Sequence, residues 1–204
     1  MFRHDILGST LIDNQCFYLL DIGAHDGDWA TTQKRFNTEL YVYCIEGNEK
    51  NSIELSRKFL PHKIAILSDV EKEVKFYLNK NNDTCTGTSY YKENNDYYLP
   101  ENYIVKKTTT LDDILKDQDI TYDSIKIDTQ GSELDILKGA SEYIDNFKVI
   151  CLETSLEEYN IGSPDQDEVV KYMDSIDYKI SGLCGEGRYP NGKLLQQDLI
   201  FTKK

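Results

Sequence analysis

Nowhere does the chain carry the run of about 20 apolar residues that a membrane-crossing helix needs. Its first residues, Met1, Phe2, Arg3, His4 and Asp5, lack the apolar core of a secretory signal. The expected location is therefore cytoplasmic, with no membrane partner. Cysteine is sparse: Cys16, Cys44, Cys85, Cys151 and Cys184 are odd in number, widely spaced and form no C-x-x-C pair. That pattern supports neither a zinc site nor a disulfide framework, and Cys16, Cys44 and Cys151 lie in or beside apolar runs, as small buried thiols do. Positive charge is short as well. With 23 Lys and Arg against 36 Asp and Glu, the formal net charge is −13, which argues against a nucleic-acid partner, because binding a phosphate backbone needs cations. No internal repeat and no low-complexity tract is present.

What is present fits a soluble α/β domain. A length of 204 residues suits a single domain with a substantial core, and 39% hydrophobic with 29% charged residues is a globular composition. Strand-like and helix-like segments alternate, which predicts a mainly parallel sheet with helices on its faces. Strands are expected at 17–23, 40–46, 63–67, 124–128, 148–153, 178–183 and 198–202, and helices at 29–36, 49–59, 132–144 and 166–176. The last two strands follow one another without a helix, so they are expected to pair antiparallel at a sheet edge. Residues 71–78 read as an exposed strand. Three segments fall outside the alternation: a leader at 1–15, and two long loops at 79–110 and 184–197 that are candidate substrate loops. The brevity of that leader makes an excised piece of a larger multidomain protein plausible.

The most informative local signal is the apolar run Phe17, Tyr18, Leu19, Leu20, which ends in the turn Asp21, Ile22, Gly23, Ala24, His25, Asp26, Gly27 and leads into a helix. Glycine lets backbone and ligand approach closely. The dinucleotide pattern G-x-G-x-x-G is not met, and an acid stands where its first glycine would be. A pyrophosphate prefers bare amides, whereas Asp21 suits a cationic ligand end such as an amino group. The same turn could also be an ordinary strand-to-helix connection.

In an open α/β sheet, ligands lie beyond the carboxyl ends of the strands. Acids stand at those ends: Asp21, Glu46 followed by Gly47, Asp69, Asp128 with Gln130, and Glu153. Glu46 can accept both hydroxyls of a ribose. Asp69 could receive an adenine amino group, or belong to a plain turn. In the segment 124–140, Lys126 and Asp128 sit in an apolar strand, where burying either without a partner is costly. Either one faces a polar cavity or the two pair with each other. Glu133 reads alternatively as a first-turn acid favoured by the helix dipole.

These stretches resemble the FkbM family of S-adenosylmethionine-dependent O-methyltransferases. The hallmarks are a D-[VI]-G-A-x-x-G loop at 21–27, an acid after the second strand at Glu46, T-L-D-D at 110–113, and K-[IV]-D-x-Q-G-x-E-x-x-x-L-x-G-A at 126–140. The strand at 149–153 also fits. His25 departs from the asparagine commoner in the family. The resemblance implies a class I methyltransferase (Rossmann-like) fold with a seven-stranded sheet and an antiparallel last strand. It also implies S-adenosyl-L-methionine as donor, S-adenosyl-L-homocysteine as product, and methyl transfer to a hydroxyl oxygen of a small molecule, with a sugar or glycan favoured. On that reading Asp21, Gly23, Ala24, His25, Gly27, Glu46, Gly47, Asp69 and Gln130 bind the cofactor. Asp128 leads as catalytic base, with Glu153 and Glu133 behind it. Tyr90, Tyr91, Arg188 and Tyr189 are candidates for an acceptor wall. A divalent metal held by Asp128, Glu153 and the acceptor is conceivable but not indicated, and His4, His25 and His62 are too scattered to form a ligand set. The rival reading is a non-catalytic binding or regulatory module that keeps the fold.

Overall fold

The computed structural model describes residues 4–204, with side chains from Ile6 onward. Seven strands form the central sheet: β1 (Tyr18–Ile22), β2 (Tyr41–Glu46), β3 (His62–Ile64), β7 (Ser124–Ile127), β8 (Val149–Ser155), β9 (Tyr178–Arg188) and β10 (Leu194–Lys203), in the order β3-β2-β1-β7-β8-β10-β9. The first five are parallel, and β10 runs antiparallel to both neighbours. The chain builds outward from β1 through β2 to β3, then returns to place β7 on the other side. Strand order therefore reverses between β1 and β7, where open α/β sheets form their ligand crevice.

Near-continuous apolar strands bury both faces. One face carries Leu20, Ile22, Ile125, Ile127, Ile150 and Leu152 against α4 (Leu111–Leu115), α5 (Glu133–Lys138) and α6 (Gln166–Ser175). The other carries Leu19, Val42, Cys44, Val149 and Cys151 against α1 (His4–Asp13), α2 (Asp28–Phe36) and α3 (Ser52–Arg57). By strand alternation, Asp21 and Lys126 belong to this second face, beside Cys44 and Cys151.

Several expectations are corrected. The stretch taken as a leader contains α1, whose Leu7 and Leu11 are buried against the sheet; residues 1–3 and the side chain of His4 lie outside the described part. The strand expected at 63–67 divides at Ala65, whose N–H is held by the Glu46 carbonyl. Beyond it, β4 (Ile66–Leu67) leaves the main sheet and joins β5 (Glu73–Tyr77) and β6 (Tyr103–Thr109) in a three-stranded sheet ordered β4-β6-β5. The segment 79–110 is therefore a loop only up to β6. The expected loop at 184–197 consists mostly of strand, because β9 and β10 extend their pairing to Arg188 and Leu194. The helix expected at 132–144 is short: α5 ends at Lys138 with Gly139 as its cap, where a Cβ would run into the Ser68 carbonyl. The T-L-D-D segment starts α4, with the Thr110 hydroxyl accepting the Asp113 N–H.

Candidate active site

Two strand-to-helix turns meet where strand order reverses. In the turn after β1, Gly23 and Gly27 have φ of 78° and 80°. His25 sits between them at φ 50°, a left-handed position where Asn, Asp and His are enriched, which gives a backbone reason for histidine to replace asparagine. In the turn after β7, Gln130 and Gly131 have φ of 59° and 105°. The turns touch: a Cβ on Gly23 would collide with the backbone carbonyl of Asp128. Gly27 is a packing glycine, since a Cβ there would strike Leu60 and Leu55, and Ala24 is buried in the core.

A cleft opens between these turns, at the place where open α/β sheets bind their ligands. Gly23, His25, Glu46, Gly47 and Asp128 stand on its wall, and Ile45, Ala65, Leu67, Phe76 and Ile136 form an apolar part. The segment 85–90 closes one side, bringing Thr88, Ser89 and Tyr90 to the lining. Sequence reasoning did not single out Phe76, which reaches the cleft from β5 of the small sheet, or Ile136 on α5, whereas the segment 85–90 belongs to the candidate substrate loop expected at 79–110.

Glu46 ties the rim together. Its carboxylate accepts the backbone N–H of His25 (2.7 Å) and of Asn48 (2.8 Å). The segment 79–98 crosses the cleft as a strap. At one end the His25 ring bonds the Thr84 carbonyl (2.7 Å), Asn48 donates to the Asp83 carbonyl (2.5 Å), and Lys50 pairs with Asp83. At the other end, Tyr90 and Tyr91 both donate to the same Asp135 carboxylate oxygen (3.0 Å each), with their rings 4.9 Å apart. These two hydroxyls thus fasten the strap to α5, and Tyr90 offers its ring to the cleft.

Asp128 is the candidate base that lines the cleft. Lys126 stands 3.3 Å from its Oδ2, and Gln130 donates to its Oδ1 (3.2 Å) and to Glu153 (2.6 Å). Gln130 is thus a clamp between the two leading base candidates. Burial, with Asp128, Glu133 and Asp198 nearby, pushes Glu153 well above the usual carboxylate range. Glu133 faces its own loop: its carboxylate accepts the N–H groups of Thr129 (2.7 Å) and Gly131 (3.0 Å), and burial pushes it up to about 7. That geometry makes it an organiser of the turn. Asp69 is turned to Lys72 (2.9 Å), which holds its carboxyl below the ordinary value, and it is not on the lining. Arg188 is at the β9–β10 hairpin tip, bonded to Glu186 and to the Gly192 carbonyl, with Tyr189 next to it; both lie off the cleft lining.

Beneath the wall, Asp21 is fully buried and 3.4 Å from Lys126. Burial raises its carboxyl to about 6 in spite of that cation. Burial also works against the Lys126 charge, but Asp128 and Asp21 hold its pKa above the ordinary lysine value. Among the described residues, no group of three or more His, Cys, Asp or Glu is arranged to hold a metal ion, and no helix is long and apolar enough to cross a membrane.

Topology and cleft together define a class I methyltransferase fold, and solved structures agree. An uncharacterized protein from Listeria monocytogenes superposes with a TM-score of 0.57 at 9% identity, over 98% of this chain and 66% of that one. TrmK of M. capricolum, in complex with S-adenosyl-homocysteine, gives 0.56 at 11% identity over 100% and 69% of the two chains. Magnesium protoporphyrin IX methyltransferase from Synechocystis, with bound SAM, gives 0.53 at 11% identity over 98% and 78%. At such identities the likeness concerns the fold. The sequence adds the family: the FkbM methyltransferase domain matches residues 21–180, and the chain belongs to that family. No curated protein matches it.

Proposed function

We propose that the protein is an S-adenosylmethionine-dependent O-methyltransferase whose acceptor is a hydroxyl of a small molecule, a sugar or glycan above all. The observation that carries this reading is the convergence of Gly23, Glu46 and Asp128 on one cleft at the strand-order reversal. The residues fit such a donor. Gly23 leaves backbone without a side chain at the cleft, Glu46 stands where a ribose would lie, and Ile45, Leu67, Phe76 and Ile136 offer an apolar slot for a flat base. When bound, S-adenosylmethionine supplies a methyl group on a sulfonium.

This chain's own residues then position and deprotonate the acceptor. An aliphatic hydroxyl is about as weakly acidic as water, so a base is worth roughly 10²–10⁴ in rate. That role for Asp128 is supported by its position on the cleft lining, with Lys126 at one of its oxygens and Gln130 at the other. The excess of acidic residues supports a neutral or cationic acceptor over a phosphorylated one. A panel of glycosides incubated with labelled S-adenosylmethionine tests the reading. Asp128→Asn is expected to retain S-adenosylhomocysteine affinity and lose roughly 10²–10⁴ in turnover; undiminished turnover removes Asp128 from the role. Calorimetry that finds no donor binding favours a non-catalytic module.

A further inference from the structure

The buried cluster beneath the cleft has a feature that fold and family do not account for. Asp21 and Lys126 are register partners on adjacent strands, and Asp128 lies two residues beyond Lys126, on the same face. The Lys126 ammonium stands 3.4 Å from Asp21 Oδ1 and 3.3 Å from Asp128 Oδ2. The Trp29 ring closes over it, 4.8 Å from ammonium to ring centre, a cation–π distance. Among the described residues, Lys126 is the cation in ion-pair range of either acid. The flanking register positions hold Cys44 and Cys151, so the cluster sits in apolar surroundings. Asp21 Oδ2 is buried and has no hydrogen-bond partner among the described residues. A buried carboxylate oxygen without a donor is costly, so its persistence calls for a partner.

We infer that Lys126 is a positioning residue: by engaging one oxygen of Asp21 and one of Asp128 under the Trp29 ring, it aims the free oxygen of Asp21 at the amino group of a bound ligand. This rests on the donor reading above, because that donor carries an α-amino acid head. One cation then sets the ligand's head through Asp21 and the candidate base through Asp128. Removing it leaves two neighbouring carboxylates without a shared counter-charge, free to turn away or to share a proton.

The probes are S-adenosylhomocysteine, which has the amino acid head, and 5′-methylthioadenosine, which has the same nucleoside and lacks it. Trp29 is the sole tryptophan of the chain, so its emission reports on the ammonium beside it. Lys126→Met is expected to weaken S-adenosylhomocysteine by about tenfold or more, the worth of a charged hydrogen bond, and to leave 5′-methylthioadenosine within about twofold. Lys126→Arg should recover most of the loss. The change in Trp29 emission on adding S-adenosylhomocysteine should be present in the wild type and lost in Lys126→Met. Equal weakening of both probes assigns Lys126 a merely structural role and overturns the inference, as does unchanged affinity for both. Wild-type protein that binds neither probe fails the donor reading itself and the inference with it. If Lys126→Met does not fold, Lys126→Gln, which keeps a donor without the charge, decides by the same ratio.

Discussion

Asp198 and Glu153 stand directly opposite each other across the β8–β10 pair, two carboxyls on adjacent antiparallel strands near the cleft. Like charges so placed destabilise a sheet. Burial and then Asp128 push Asp198 up to about 7 from its ordinary 3.8, and Glu153 is raised by burial and by Asp128, Glu133 and Asp198. Each therefore binds its proton more tightly in the folded chain than in the unfolded one. Their contribution to stability is complete below the unfolded values near 4 and drains away as pH rises through about 7. Thermal stability should fall between about pH 4 and pH 7. Asp198→Asn should raise the melting temperature at the upper end of that range and leave the lower end unchanged. A gain of equal size at both ends would show that charge is not the cause.

Gly23 carries a separate expectation. Its φ of 78° and the contact of its missing side chain with the Asp128 carbonyl leave no room for a methyl group. Gly23→Ala should cost about 1–3 kcal/mol of stability, since a non-glycine residue is strained there. It should also abolish S-adenosylhomocysteine binding by parting the two turns. Denaturant unfolding and calorimetry read the two effects, and a variant with native affinity would show that the contact is dispensable.

The sheet, both glycine turns and the acids at the strand ends were legible because each is local. An apolar run such as 17–20, punctuated by glycine and followed by a helix, permits few other structures. Of the small sheet, the strand at 71–78 was legible, but β6 and the pairing that makes a separate sheet were not. Tyr103–Thr109 shows no clean alternation, with Ile104 and Val105 both exposed, and becomes a strand because Ile66 and Leu67 on one side and Glu73–Tyr77 on the other supply its hydrogen bonds. Glu133 is the first-turn acid of the alternative reading, but the bonding partners of Tyr90, Tyr91 and Glu133 were not legible. Their partners Asp135, Thr129 and Gly131 lie in or beside the same glycine turn, but which groups face each other depends on φ values at Gln130 and Gly131 that no spacing reveals.

Fastening of the strap to α5 is measurable as a coupling. Tyr90 and Tyr91 donate to one oxygen of Asp135, and the Tyr90 hydroxyl oxygen also lies 3.2 Å from the Ser68 hydroxyl. Removing either hydroxyl with Tyr90→Phe or Tyr91→Phe should cost about 0.5–1.5 kcal/mol. Because each single change leaves the other hydroxyl on the shared acceptor, the double variant should lose more than the sum of the two. Urea denaturation of the four proteins closes the cycle, and strict additivity would mean the hydroxyls do not share Asp135.

Glu46 gives the most direct separation of scaffold from ligand contact. A carboxylate offers about four lone-pair positions. His25 and Asn48 take one each, with Asn51 at 3.4 Å as a weaker third donor, which leaves acceptor capacity toward the cleft for a diol. Oε2 accepts from His25 and Oε1 from Asn48, so in Glu46→Gln either orientation of the amide sets its NH₂ against a backbone N–H. The variant should lose about 1–3 kcal/mol of stability, read from its melting temperature, and about tenfold in affinity for 5′-methylthioadenosine. Full nucleoside affinity in Glu46→Gln, with the fold intact, would remove Glu46 from ligand contact and leave it solely as the brace between the turns after β1 and β2.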